Sequence, residues 1–367
     1  MENTNDLDWV LRDPIVGCLL PALYVLNKTD SLHLSERVRE AGKNNYLTNK
    51  AHWMVREHRL KRILDVLYQA DIEVIPLKGG ILQGLLYRNS GIRSMDDLDI
   101  LVRPENYKSS ANLLIRSGLM LVPTNRFQSL AQLDEFPDTD WPGELSFNDG
   151  QGFAIDLHRN LVTSQWFSTV YYLDMKAVWE RSVRLSDDEQ GAKAAGAGLW
   201  KVLLSPYDML AHLCLHSALH GLQIMKNFLD IDLWIRNLPT SWDWGQFMEI
   251  VNQWQIRSAV FHVMTFCKEF LGTPVPEEVL RQIDPGWLAR WRVRKLISPQ
   301  KLMADRPSLG KRYPTLVKIS LVDHISEMFL TIIKLTFPGR ALYTRHYTKQ
   351  GIIGHWLHIF DVIKRGD

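Results

Sequence analysis

Between His52 and Ala70 the apolar residues Leu60, Ile63, Leu64 and Leu67 recur at three- and four-residue steps, the spacing of one face of an α-helix. The pattern then changes. "DIEVIPL" reads as a turn and a short buried strand, Gly79 and Gly80 end it, and "ILQGLLYR" reads as a short helix. "LDILV" is the next strand. Pro104 stands at a helix start, and "ENYKSSANLLIRSG" continues as an amphipathic helix that Gly118 caps. After a turn at Asn148–Gly152, "GFAIDLHRNL" is a further strand. Residues 52 to about 165 therefore alternate helix and strand. Residues before them look helical, with breaks near Pro14 and Pro21. From about Leu199 the pattern is almost all helical, with Pro206 opening a long helix through "YDMLAHLCLHSALHGLQ". The expected class is α+β, in five segments: a helical 1–50, an α/β core 51–165, a connection 166–200, a helical domain 201–297 and a basic, aromatic tail 298–367.

The second strand carries an anomaly. It places Asp97 and Asp99 two residues apart in a stretch that otherwise wants burial. Residues i and i+2 of a strand share a face, so both carboxylates are expected to project together while Leu98, Ile100 and Val102 fill the core. Two adjacent carboxylates repel and are costly to desolvate unless a cation lies between them. A hard divalent ion such as Mg²⁺ takes oxygen ligands of this kind, often together with substrate phosphates. In "AIDLH" the same alternation sends Asp156 and His158 one way and Ile155 and Leu157 the other, which supplies a third carboxylate. Lys78, Gly79 and Gly80 form a turn where backbone can approach a phosphate, and Arg93 on the following loop is a second cation. Taken singly, each feature has a plainer reading: a solvated Asp-x-Asp edge, a Lys-Gly-Gly turn, a surface Asp156. Their order and spacing are what argue for a site.

This order of elements resembles the polymerase-beta-like nucleotidyltransferase superfamily, and more narrowly a bacterial group with an LKG…LY…R…DLDLLV signature. The resemblance covers about residues 52–160, and "HLCLHSALHG" and "LDIDLWI" resemble the helical region C-terminal to the core in that group. It implies a small mixed-sheet core flanked by helices. It also implies that Asp97, Asp99 and Asp156 hold Mg²⁺ or Mn²⁺, with Asp156 acting on the attacking hydroxyl, and that Lys78, Gly79, Gly80 and Arg93 bind the NTP. The superfamily commonly has Gly-Ser where Lys78-Gly79-Gly80 stands here.

His212, His216 and His220 are four apart and share a helix face. With His158 they are candidate lining for the cleft, so the helical region is expected to pack on the core as its far wall. The alternatives are plain packing, or a separate metal site with Asp230 and Asp232. That last reading lacks an HExxH pattern.

Composition narrows the classes. Across 367 residues the net charge is +2, which lacks the basic excess of a general nucleic-acid binder and leaves room for local basic clusters. The three cysteines, Cys18, Cys214 and Cys267, form no CxxC pair, so they read as core residues of a reduced, cytoplasmic protein. The acidic start "MENTNDLDWVLRDP" has no signal-peptide pattern, and "IVGCLLPALYVL" is too short to span a bilayer. Most of the thirteen tryptophans read as packing. In the tail, Lys334, Arg340, Arg345 and Lys349 alternate with Phe337, Tyr343 and Tyr347, a candidate for weak contact with an anionic surface.

The first functional expectation is a metal-dependent nucleotidyltransferase moving an NMP from an NTP to an unidentified acceptor: a small molecule, sugar, protein or tRNA. The second is a non-catalytic nucleotide- or partner-binding module, which the unusual Lys78 turn motivates. The third is a metal-dependent phosphohydrolase centred on the histidine helix. Asn at Asp97 or Asp99 is expected to abolish turnover and cost the fold little, because carboxylate repulsion is relieved. Asp96, read as facing the other way, is expected to tolerate Asn.

Overall fold

A computed structural model of the chain describes residues 7–12, 16–29, 32–87, 91–95, 97–123, 129–135, 141–163, 167, 170–185, 197–297 and 314–336. The chain divides into two compact units. The first comprises residues 1–122, 144–159 and 181–204, and the second residues 123–143, 160–180 and 205–367.

In the first unit, helix α1 (Leu20–Lys28) precedes a 34-residue helix, α2 (Glu36–Gln69). The helix expected from His52 thus begins much earlier. The Ser35 hydroxyl caps its first turn by accepting from the Val38 amide, and Pro21 sits in the first turn of α1 rather than breaking it. Val38 and the stripe Leu60, Ile63, Leu64 and Leu67 are the buried apolar residues of α2. The helix stops at Ala70, where Asp71 turns to a positive φ of 58°. Strand β1 (Val74–Pro76), helix α3 (Gly79–Leu85), strand β2 (Leu98–Val102), helix α4 (Tyr107–Arg116) and strand β3 (Met120–Leu121) follow. Gly118 ends α4 at φ 92°, as its sequence position suggested. Strands β4 (Glu144–Asn148) and β5 (Ala154–His158) form a hairpin.

The five strands make one mixed sheet in the order β1-β2-β5-β4-β3. Strand β2 runs parallel to β5, and the other pairings are antiparallel. Its two faces differ. Leu98, Ile100, Ile155, Leu157, Leu145 and Phe147 alternate onto one face and are all buried. Helix α4, whose Tyr107, Ala111 and Leu114 are buried, packs on β5 and on α2. Asp99, Asp156, His158, Ser146 and Glu144 alternate onto the opposite face. The sheet therefore sorts an apolar support from a polar surface strand by strand.

The second unit is mainly helical: α5 (Met175–Arg181, its last residue in the first unit), α6 (Pro206–Leu219), α7 (Met225–Arg236), α8 (Trp244–Gln253), α9 (Arg257–Leu271), α10 (Glu277–Gln282), α11 (Trp287–Leu296), α12 (Pro314–Ser320) and α13 (Ile325–Thr336). Helix α6 is the hub, touching α7, α8 and α9. Ser205 caps it, and Gly272, at φ 62°, ends α9. The Asp323 carboxylate accepts the amides of Arg257 and Ser258 at 2.9 and 2.6 Å and so caps α9 from 65 residues away. Cys214 and Cys267 are free thiols, and burial pushes both well above the usual thiol range. Trp254 is buried, whereas Trp287 and Trp291 are exposed. Among the described residues no helix is long and apolar enough to cross a membrane. The basic and aromatic tail residues from Phe337 onward lie outside the described residues, as does the side chain of Lys334.

The loop that carries Arg93 is strapped to α2. The Asn49 side-chain amide donates to the Gly91 carbonyl at 3.2 Å, and the Arg56 guanidinium donates to the Met95 carbonyl. A Cβ on Gly91 would meet the Tyr46 ring at 2.5 Å and its carbonyl oxygen at 2.8 Å. Gly91→Ala is therefore expected to destabilise the protein by about 1–3 kcal/mol through overpacking. Denaturant unfolding checks this, and an unchanged midpoint would show that the loop yields without cost.

Candidate active site

The polar face is built around Asp99. This residue lies in a strand that is buried along its whole length, and it is itself 5% exposed. A carboxylate there needs a countercharge. The Lys78 ammonium supplies it, 2.5 Å from Asp99 Oδ1. His158 Nε2 donates to the same oxygen at 2.9 Å. Since a carboxylate only accepts, the proton sits on Nε2, and Nδ1 is buried with no hydrogen-bond partner among the described residues. Burial works to raise the Asp99 carboxyl. Lys78, and after it His158, overrule burial and hold it well below the usual carboxylate range.

Lys78 reaches Asp99 through local backbone geometry. The Leu77 amide donates to the Asp99 carbonyl at 2.9 Å, which ties the turn to β2. Lys78 then takes φ 45° and ψ −123°, a region sparsely populated by non-glycine residues. Gly79 follows because the space above it is taken: an added Cβ would overlap the Arg93 guanidinium and lie 2.7 Å from the Met95 sulfur. Gly80 has ordinary room, and its amide donates to the Leu77 carbonyl at 3.1 Å. The two glycines, expected to serve a phosphate alike, differ here. Gly79 makes room for Arg93, and the Gly80 amide is spent inside the turn.

Asp156 is the direct register partner of Asp99 across β2 and β5. Its situation is the reverse. Burial raises its carboxyl, the Glu144 charge raises it further, a Ser146 hydrogen bond lowers it, and Asp99 raises it again. Glu144 stands opposite His158 in the hairpin, with its Oε2 at 3.6 Å from His158 Nε2. Glu144 and Ser146 were missed in reading the sequence. The signal was present: "ELSFN" alternates polar and apolar residues and leads into a Gly-containing turn.

The expected equivalence of Asp97 and Asp99 does not hold. Strand β2 begins at Leu98, so Asp97 stands just outside it and is exposed, while Asp99 is buried. The premise for expecting Asn at Asp99 to cost little, a bare carboxylate repulsion, is replaced by two partners, Lys78 and His158. Asp96 lies outside the described residues. His158 joins the carboxylates, whereas His212, His216 and His220 belong to the second unit. There they form a ladder with ring centroids 6.1 and 4.4 Å apart, running from a buried to an exposed position. Asp232 is committed elsewhere. It accepts from Arg236 Nε at 2.9 Å and from the Thr273 hydroxyl at 2.7 Å, while Arg236 reaches the carbonyls that end α9. Among the described residues, no three His, Cys, Asp or Glu side chains converge as they stand on a point that could hold a metal ion.

The chain belongs to the uncharacterised nucleotidyltransferase family, whose family model matches residues 5–272. The match takes in the whole sheet with its carboxylates and extends to the glycine that ends α9. No curated protein matches the chain.

The opposite situations of the two aspartates predict opposite responses to amidation. Asp99→Asn leaves the Lys78 ammonium without its carboxylate and is expected to cost about 3 kcal/mol at neutral pH. Its folded-state pKa is depressed, so this stabilisation is present above the ordinary carboxylate value and is lost as pH falls through the folded value. Asp156 is raised, so its carboxylate form is penalised by folding. Asp156→Asn is expected to stabilise by up to about 1 kcal/mol at neutral pH, with the gain vanishing in acid. Urea unfolding at several pH values measures both, and shifts of the same sign would refute this electrostatic reading.

Proposed function

We propose that the protein transfers a nucleoside monophosphate from an NTP to an acceptor hydroxyl or phosphate, releases pyrophosphate, and depends on a divalent cation. The observation that carries this reading is Asp99 and Asp156 standing in direct register on the polar face of the sheet, within a chain of the nucleotidyltransferase family. The donor set suits a hard cation. Asp99 and Asp156 offer carboxylate oxygens side by side, nucleotide phosphates would complete the set, and Asp156 is raised by burial and by the Glu144 charge beside it. Bound there, Mg²⁺ or Mn²⁺ would neutralise the triphosphate and polarise the attacking hydroxyl.

The chain's own residues have the remaining work. Phosphoryl transfer relies on positioning and charge neutralisation more than on covalent participation. In this reading the acceptor oxygen bonds to the α-phosphorus as the bond to the pyrophosphate oxygen breaks. The acceptor proton passes to Asp156, whose raised affinity for protons suits a base. Lys78 and Arg93 take phosphate oxygens, and Gly79 leaves the room that Arg93 uses. His158 fixes the Asp99 carboxylate from behind. The acceptor class stays open among small molecules, sugars, proteins and tRNA.

One observation favours a second reading. Lys78 already satisfies Asp99, and Arg93 already covers Gly79, as they would in a binding module that keeps the fold without turnover. Calorimetry separates the two: nucleotide binding that is indifferent to metal and leaves the nucleotide intact favours the module. The phosphohydrolase reading loses ground because Asp232 is held by the Arg236 guanidinium and the Thr273 hydroxyl.

Incubation with an α-labelled NTP and Mg²⁺ or Mn²⁺ is expected to yield a labelled product and pyrophosphate without orthophosphate. Asp156→Asn is expected to fold and to lose at least about a hundredfold in turnover. Wild-type activity should fall in acid, where the carboxylates that would hold the cation and accept the proton are protonated. Unchanged turnover in the variant would remove Asp156 from its role. Failure to bind any NTP in the presence of metal would sink the reading as a whole.

A further inference from the structure

The pair at the centre of the acidic face leads further. Lys78 is held in an unfavourable backbone conformation, yet its ammonium lies 2.5 Å from the carboxylate that a divalent ion would use. A strained residue at such a point usually has its strain tied to a task. The lysine already supplies the positive charge that Asp99 needs. We infer that Lys78 is a built-in counter-cation, which occupies Asp99 at rest and withdraws to a phosphate oxygen when a divalent ion enters. The site then takes the ion and a triphosphate together and takes the ion alone only weakly. This inference rests on the nucleotidyltransferase reading of the same site.

Charge and reach both point this way. A divalent ion entering alone would meet an ammonium beside the same carboxylate oxygen, and two cations at one anion repel. The Lys78 side chain is 16% exposed and that of Asp99 6%, so leaving Asp99 for water would mean unmaking a largely buried pair. A triphosphate removes both difficulties, because it accompanies the ion and offers anionic oxygens to the displaced ammonium. The four-carbon stem of Lys78 springs from the turn that leads directly into Gly79, over which the second cation, Arg93, already lies. A short swing about that stem transfers the charge, with no element of the sheet required to move. His158 keeps its bond to Asp99 Oδ1, so the carboxylate stays oriented during the exchange.

The test is Mn²⁺ binding to the full chain, read by electron paramagnetic resonance of the free ion, with and without a non-hydrolysable NTP analogue, the Mn²⁺ that the analogue itself chelates being subtracted from a protein-free titration. For the wild type the analogue is expected to tighten Mn²⁺ about tenfold or more. Lys78→Met removes the competitor and is expected to bind Mn²⁺ alone about tenfold more tightly than the wild type, with most of the analogue's enhancement gone. Lys78→Arg keeps a charge and should behave like the wild type. If Lys78→Met binds Mn²⁺ alone no better than the wild type, the inference is wrong and the nucleotidyltransferase reading stands. Should the Met variant not fold, the wild type alone decides: equal Mn²⁺ affinity with and without the analogue overturns the counter-cation. If neither protein binds Mn²⁺ under any condition, both readings fall together.

Discussion

A carboxylate in the middle of a fully buried strand cannot stand alone, and the site depends on how Asp99 is compensated. Its ionised form survives because one oxygen receives both an ammonium and an imidazole N–H. That requirement reaches outward. Lys78 must leave β1 at a positive φ to point its stem at β2, and Gly79 must lack a side chain because Arg93 crosses it. The Arg93 loop must be tied to α2 by Asn49 and Arg56. The parallel pairing of β2 with β5 then sets Asp156 beside Asp99, where burial and the Glu144 charge raise its carboxyl. One aspartate is over-satisfied and its neighbour under-satisfied. The proposed division of labour, proton acceptance at Asp156 and cation binding at the pair, rests on that asymmetry.

The rest of the first unit holds this arrangement in register. Every second residue of β2, β4 and β5 is an apolar anchor, so a one-residue slip would bury Asp99, Asp156 and Glu144 on the helix-covered face. The energy of the apolar face therefore secures the spacing of the polar one. The family match spans this sheet and runs on to Gly272, so the sequence beyond α9 is additional to the matched region.

Much of this was legible in the sequence. Local periodicity placed β1, α3, β2, α4 and β5, and parity within a strand set Asp156 and His158 apart from Ile155 and Leu157. Three things were not legible, each for a physical reason. The Lys78–Asp99 bond joins residues 21 apart and depends on one unusual φ, which no pattern encodes. The difference between Asp97 and Asp99 depends on where pairing begins, and a strand end is set by its neighbours rather than by its own residues. Strand β4 carried a clear alternation, but it is a short hairpin arm ahead of the turn at Asn148–Gly152, too brief to stand out by periodicity, and Glu144 and Ser146 went unassigned with it.

The central proposal is that the Asp99–Asp156 pair binds a divalent ion together with a triphosphate. A co-crystal grown with Mn²⁺ and a non-hydrolysable NTP analogue, with Mn²⁺ located by its anomalous signal, tests it most directly. The expected result is a manganese peak within direct coordination distance of carboxylate oxygens of Asp99 and Asp156. Phosphate oxygens should bind the same ion, with the Lys78 ammonium turned onto the phosphates. A structure with nucleotide and manganese bound elsewhere, and Lys78 still on Asp99, would contradict the claim.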